Sequence, residues 1–176
     1  MYYTELPTPI GLLTLCCDDH ALKEILFGSH APENATRKET PLLSKVISQL
    51  NAYFTGQRQA FDLPLAPEGT DFQQTVWKQL LNIPFGVTHS YQWQARQINR
   101  PNAVRAVGAA NGKNPIPIII PCHRVIASNA KLTGYAGGLS IKKALLEHEG
   151  HQIKKKYGLL INRYFHEICD INDTIL

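Results

Sequence analysis

Cys122, His123 and Arg124 follow one another directly after the run Ile118-Ile119-Ile120-Pro121. A thiol with an imidazole and a guanidinium beside it is a candidate nucleophile, because the thiolate is the reactive form and such neighbours favour it. A free cysteine more often serves as a small buried hydrophobe. Against that stands the company it keeps: a histidine and an arginine are costly to bury without a use. The three isoleucines read as a buried strand. Pro121 ends its ladder pairing, which places Cys122 where a strand meets a turn. The other cysteines, Cys16, Cys17 and Cys169, make neither a Cys-x-x-Cys nor a Cys/His ligand spacing. Free thiols in a reducing compartment are expected, with no metal and no cofactor.

The chain of 176 residues is 44% apolar, enough for one domain or two small ones. No apolar run approaches the ~18 residues of a membrane span, so no membrane partner is expected. Met1 to Glu5 shows no basic stretch leading into an apolar one, and a cytoplasmic location is the expectation. Asn34-Ala35-Thr36 and Asn172-Asp173-Thr174 match the glycosylation triplet, which is empty without secretion. Net charge is +4, unevenly spread. Residues 1–68 carry 5 Lys/Arg against 8 Asp/Glu, residues 69–150 carry 9 against 3, and residues 151–176 carry 4 against 3. The basic excess lies in the segment holding Cys122, where a solvated face and a polyanionic partner are the two readings.

The elements that must position this site can be read in chain order. Tyr2 to Leu6, Leu12 to Cys17 and Leu22 to Phe27 read as three strands joined by turns at Pro7–Gly11 and Asp18–His20. Residues 28–39 read as a loop. Pro41 to Phe54 has apolar residues at helical spacing and ends at Thr55-Gly56. Residues 66–70 are the expected domain boundary. Asp71 is the expected cap of a helix bearing Phe72, Val76, Trp77 and Leu80, and Ser90 the cap of another through Ile98. Asn99 to Asn102 is a tight turn into a third helix, Ala103 to Ala110, so the pair forms a helix-turn-helix pattern. The third helix is almost all Ala, Val and Gly apart from Arg105. Either it packs closely in a core, or its smooth face approaches a nucleic-acid groove, the reading the basic excess favours. Gly134 to Gly138 is a glycine-rich turn, Ser140 is the expected cap of a last helix to Glu149, and no strong period follows residue 150.

Pro121-Cys122-His123-Arg124-Val125 resembles the active-site signature of the O6-alkylguanine-DNA alkyltransferases. Phe72-Gln73-x-x-Val76-Trp77, Ile83-Pro84-Phe85-Gly86, Ser90-Tyr91, Arg105-Ala106-Val107-Gly108, Asn114-Pro115, Gly134-Tyr135-x-Gly137-Gly138-Leu139 and Leu145-Leu146-x-x-Glu149-Gly150 fit the same family, in order and at family spacing. The likeness runs from about residue 71 to 151, and Thr8-Pro9-Ile10-Gly11 through Ile25 looks, more weakly, like the family's amino-terminal domain.

The resemblance implies an α/β fold. A small ribonuclease H-like sheet-and-helix domain (1–66) would precede a winged helix-turn-helix-like domain carrying the active site (67–151) and a carboxyl-terminal extension (152–176). It implies single-turnover transfer of an alkyl group from O6 of guanine, and also from O4-methylthymine, in duplex DNA to Cys122. His123 would take the thiol proton through a water, Glu149 would orient His123, and Asn114 would hold the turn before the active-site strand. Tyr91 would press on the phosphate of the flipped nucleotide and Arg105 would fill the stack from the minor groove. Ser128 and Tyr135 would line the base pocket, and Gln73 and Gln92 would touch the backbone. The protein would act as a monomer. Three departures stand out. Cys16-Cys17-Asp18 lacks the zinc ligands of some relatives, Asn99-Arg100 replaces a common Gly-Asn pair, and Ala136 stands where mammalian relatives carry serine. Two other readings compete: a lesion-binding relative without transfer, against which Cys122 argues, and a Cys-His-Glu hydrolase, which would need an oxyanion hole.

Overall fold

The computed structural model describes residues 1–154 and 159–161. Strands β1 (Tyr2–Thr8), β2 (Gly11–Cys17) and β3 (Leu22–Phe27) form an antiparallel meander. The short β4 (Thr36–Arg37), inside the segment expected to be a loop, pairs parallel with β1 and gives the order β3-β2-β1-β4. Alternation along β2 sends Leu13, Leu15 and Cys17 into the main core and Thr14 and Cys16 to the other face. Helix α1 (Pro41–Phe54) covers the core face, with Leu43, Val46, Leu50 and Tyr53 buried. Thr40 caps it by accepting from Leu43 N, and proline stands in its first turn, where a missing N–H costs nothing.

The linker closes the free edge of the sheet. Leu22 N donates to Pro64 O and Ala66 N to Leu22 O, both at 2.9 Å. A few residues further along the same edge, Ile25 N donates to Pro115 O at 2.8 Å. The two halves therefore meet along β3, which leaves little unpaired edge.

The second half is helical: α2 (Asp71–Leu80), α3 (Tyr91–Gln97), α4 (Val104–Gly112) and α5 (Leu139–His148). Two expected caps are displaced. Thr70, not Asp71, caps α2, in a reciprocal capping box with Gln73. Gly138, at φ 86°, precedes α5 in place of Ser140, since the chain enters through a left-handed turn that a β-carbon disfavours. Ser90 caps α3 as expected, and Asn99 takes φ 56° to close the helix-turn-helix turn, a conformation asparagine tolerates. Short strands β5 (His89–Ser90) and β6 (Val125–Ile126) pair in parallel beneath it.

The isoleucine run is buried but is not a strand. Ile118 lies at φ 75°, reversing the chain so that Ile120 N reaches Ile116 O at 2.9 Å, and Cys122–Arg124 then form one 3₁₀ turn. The run closes on itself instead of pairing as a ladder: Asn114 bonds both Ile116 N and Ile120 O and holds the reversal shut. Within the extension, where the sequence shows no strong period, β7 (Gln152–Lys154) pairs antiparallel with β8 (Leu159–Ile161). Cys169 and the remainder of the extension lie outside the described residues.

Candidate active site

Cys122 is held from three sides. Its side chain is buried, the residue being 5% exposed. Asn114 Nδ2 donates to Cys122 Sγ at 3.2 Å and to Ile120 O at 2.7 Å, while Asn114 Oδ1 accepts from Ile116 N at 3.0 Å. One amide thus fixes both ends of the turn and touches the thiol. Burial pushes the Cys122 thiol up, and the Asn114 hydrogen bond and the nearby Lys142 charge pull the other way.

His123 is fully buried, and its Nε2 faces Glu149 Oε1 at 2.8 Å. Its Nδ1 is buried with no protein partner. The reason expected for a bridging water, strand alternation, does not apply here. Successive residues of a 3₁₀ turn diverge by about 120°, with the same effect: the imidazole does not face its neighbour's sulfur directly. Burial lowers the pKa of His123 against the opposing pull of Glu149, so the ring is a neutral base near pH 7.

Glu149 follows the last residue of α5 and gathers donors from both halves of the chain. Arg124 spans it, with Nε at 2.9 Å from Oε2 and Nη2 at 2.9 Å from Oε1, and a third donor, Nη1, on Ile83 O at 2.6 Å. Gly86 N donates to Oε2 at 3.1 Å and the Tyr53 hydroxyl to Oε1 at 2.8 Å. Burial works to raise this carboxyl. The charges and hydrogen bonds of His123 and Arg124 outweigh it and hold Glu149 well below the usual carboxylate range.

Four participants escaped the reading of the sequence. Arg124 was legible as a costly charge and as a neighbour of the thiol, not as the partner of Glu149; Gly86 acts through its backbone, and Tyr53 lies 96 residues from the carboxylate it meets. Lys142 carried a signal: it shares the buried stripe of α5 with Leu145 and Leu146, an unusual place for a lysine. Its Nζ donates to Val125 O at 2.7 Å and Thr133 O at 2.9 Å, and burial lowers its pKa to about 8.

Beside the thiol opens a cleft of about 500 Å³ lined by Tyr91, Arg105, Gly108, Thr133, Tyr135 and their neighbours. Arg105 is exposed on α4, whose buried side is Val107, Ala110 and Asn111 and whose exposed residues include Ala106, Ala109 and Gly112. One face of the helix is thus packed in the core, and the other, of small residues, is exposed. The Tyr135 hydroxyl is buried without a protein partner, its ring 5.9 Å from Phe27 of the sheet. Ser128, expected at the pocket, is exposed on the turn after β6 and does not line the cleft, because the chain leaves β6 outward at Ala127. Gln73 uses its Oε1 on Thr70 N at 2.8 Å, and Gln92 Nε2 donates to Pro101 O at 3.1 Å. Both amides therefore have roles within the chain.

A buried cysteine next in the chain to a histidine–glutamate pair, carried on a helix-turn-helix frame, defines the class. Residues 71–151 match the model of the 6-O-methylguanine DNA methyltransferase DNA binding domain, and residues 1–67 match that of the ribonuclease-like domain of the same proteins. A methylated-DNA–protein-cysteine methyltransferase of Methanosarcina barkeri is 47% identical over 162 residues, which cover 88% of this chain and 100% of that protein. That of Mycobacterium tuberculosis is 49% identical over 152 residues, covering 85% and 92%. The crystal structure of M. tuberculosis OGT in complex with DNA superposes with a TM-score of 0.80, over 85% of this chain and 92% of that one. The chain belongs to the methylated-DNA–protein-cysteine methyltransferase family.

Proposed function

We propose that this protein repairs DNA by drawing the methyl or alkyl group of O6-alkylguanine onto Cys122 Sγ, once per molecule. The observation that carries the reading is the Asn114 amide on Cys122 Sγ beside a closed His123–Glu149 pair. The sulfur attacks the alkyl carbon in line, the carbon–O6 bond breaks, and its electrons pass to the guanine. His123 accepts the thiol proton through a water at Nδ1, and a proton reaches the departing base, so charge balances. Lys142 and Asn114 favour the thiolate as it forms. The product is a thioether, which water does not cleave, so the site needs no second half-reaction.

The partner is double-stranded DNA, entered from the minor groove with the damaged nucleotide turned out of the stack. A buried thiol requires this, since an enzyme acting on a base must take it out of the duplex. Small residues on the exposed face of α4 permit close approach to a groove, and Arg105, on that face, is the side chain long enough to take the vacated place. Tyr91 stands at the same cleft to press on the phosphate, Tyr135 faces the base, and the half-buried Gln73 and Gln92 contact the DNA backbone. O4-methylthymine fits the same chemistry. The active unit is a monomer, one chain carrying every group of the site, working in the cytoplasm.

Intact mass and peptide mapping after incubation with an O6-methylguanine duplex test this. One methylene gained on the Cys122 peptide and absent in Cys122→Ala is the expected result. Tight lesion binding with no mass gain would leave only a lesion-binding protein. Arg105→Ala should slow transfer from the duplex at least ten-fold and leave transfer from free O6-benzylguanine unchanged, as the free base needs no extrusion.

A further inference from the structure

We propose that Tyr53, in the amino-terminal domain, is a positioning residue for the transfer, completing the His123–Glu149 pair from across the domain boundary. This extends the function read above and rests on it. The Tyr53 hydroxyl donates to Glu149 Oε1 at 2.8 Å, the same oxygen that faces His123 Nε2 at 2.8 Å. The ring is fully buried and boxed by Phe54, Phe61, Phe85 and His148, with centroids 5.2, 5.5, 6.0 and 4.8 Å away. At the other end of the residue, Tyr53 O lies 2.7 Å from His148 Nε2. Two consecutive residues of the second half, His148 and Glu149, therefore grip one tyrosine of the first.

Packing alone does not call for the hydroxyl, because phenylalanine would fill the same box. Nor does holding Glu149 in place, which Arg124 and Gly86 already do. What the hydroxyl changes is the charge on Oε1. Each donor on that oxygen draws negative charge away from His123 and weakens its hold on a proton. The titratable groups around Tyr53 and His123 are Cys122, Arg124, Tyr135, Lys142, His148 and Glu149. Glu149 favours the imidazolium, while burial first, then Arg124 and Lys142, oppose it. Tyr53 trims the pull of Glu149, and the imidazole stays free to accept the Cys122 proton near neutral pH.

Tyr53→Phe removes the hydroxyl and keeps the ring. Single-turnover methyl transfer from a saturating O6-methylguanine duplex is followed from pH 4.5 to 9, alongside affinity for unmethylated duplex and thermal melting. Loss of the donor strengthens the hold of Glu149 on the imidazolium, so the neutral base appears only at higher pH. The midpoint of the acid limb should move up by roughly half to one pH unit, with transfer at pH values below that midpoint falling about three- to ten-fold. The plateau rate and duplex affinity should stay within about two-fold. An unshifted midpoint overturns the proposal, and a loss uniform across pH would make Tyr53 a packing residue only. A ¹⁵N-imidazole NMR titration of His123 in both proteins reads the same shift without DNA. An inactive wild type would overturn the reading of function, while the NMR comparison would still decide the role of Tyr53.

Discussion

Asn114 carries more of the site than its size suggests. It donates to Cys122 Sγ and ties Ile116 to Ile120 across a left-handed residue. Asn114→Ala should slow alkylation of Cys122 by iodoacetamide about ten-fold at pH 8, because the thiolate loses a donor. It should also cost about 1–3 kcal/mol in urea unfolding, since Ile116 N and Ile120 O lose their amide partner inside the protein. Glu149 sets the acid limit of the fold. Its folded pKa lies below the ordinary 4.5, so its contribution is complete above about 4.5 and is lost as pH falls towards the folded value. His123, lowered from 6.5, acts with the same sign, and its contribution declines below about 6.5. Stability should therefore fall with acidification from about pH 6.5 downward. Glu149→Gln should lose about 3–5 kcal/mol at pH 7, because it leaves the Arg124 guanidinium buried and unpaired. Its stability should also change less between pH 5 and 3, and equal slopes for the two proteins in pH-resolved unfolding would refute this.

At the scale of elements, α4 is held by little apolar area and by directed hydrogen bonds. Trp77 Nε1 donates to Ala110 O at 2.8 Å, and Asn111 Nδ2 to Gln94 Oε1 at 2.7 Å, both buried. Gly108, in its middle, is an ordinary helical residue whose β-carbon would meet the Tyr91 ring at 3.7 Å, a normal contact. Gly108→Ala should therefore stabilise the protein by about 0.5–1 kcal/mol in thermal melting, through reduced backbone entropy of the unfolded chain. The turn at Ile118 pulls the other way. A β-branched residue at positive φ costs on the order of 1–3 kcal/mol, and here the outlier lies four residues before the nucleophile. The fold tolerates it because the Asn114 bonds on either side, and full burial of Ile118, fix the conformation.

At the scale of the molecule, the two halves meet at the chemistry and not beside it. The edge bond from Ile25 to Pro115, the Tyr53–Glu149 bond and the seat of Tyr135 on Phe27 all join the first half of the chain to the half that carries the thiol. Gly137 packs so closely on Phe27 that a β-carbon would come within 2.8 Å of its ring. Gly137→Ala should lift the loop from the sheet and lower stability by about 1–3 kcal/mol in calorimetry, with slower transfer because Tyr135 moves with it. The charge asymmetry acts at this scale too. With the basic excess in residues 69–150, duplex affinity should fall linearly in a log–log plot against salt, and a flat plot would mean that phosphates contribute little.

The sequence by itself marked most of the elements and singled out Cys122 with His123 beside it, while Asn114 and Glu149 entered through the resemblance to the alkyltransferase family. Those depend on local signals: helical period from Pro41 to Phe54, capping at Ser90, and residue types at fixed spacing near Cys122. Tertiary structure decided what depends on distant partners. Three isoleucines have a strand's composition, and only the folded chain, with Asn114 holding Ile116 and Ile120 on either side of Ile118, makes them a strained turn. Gln73 carries no sign in its own residue type that its amide closes the cap of its helix with Thr70. Tyr53 gives no chemical signal within its own helix, because the carboxylate that makes its hydroxyl matter arrives from the far end of the chain. Local patterns record backbone preference and burial, whereas the electrostatics of a buried carboxylate exist only once both domains enclose it.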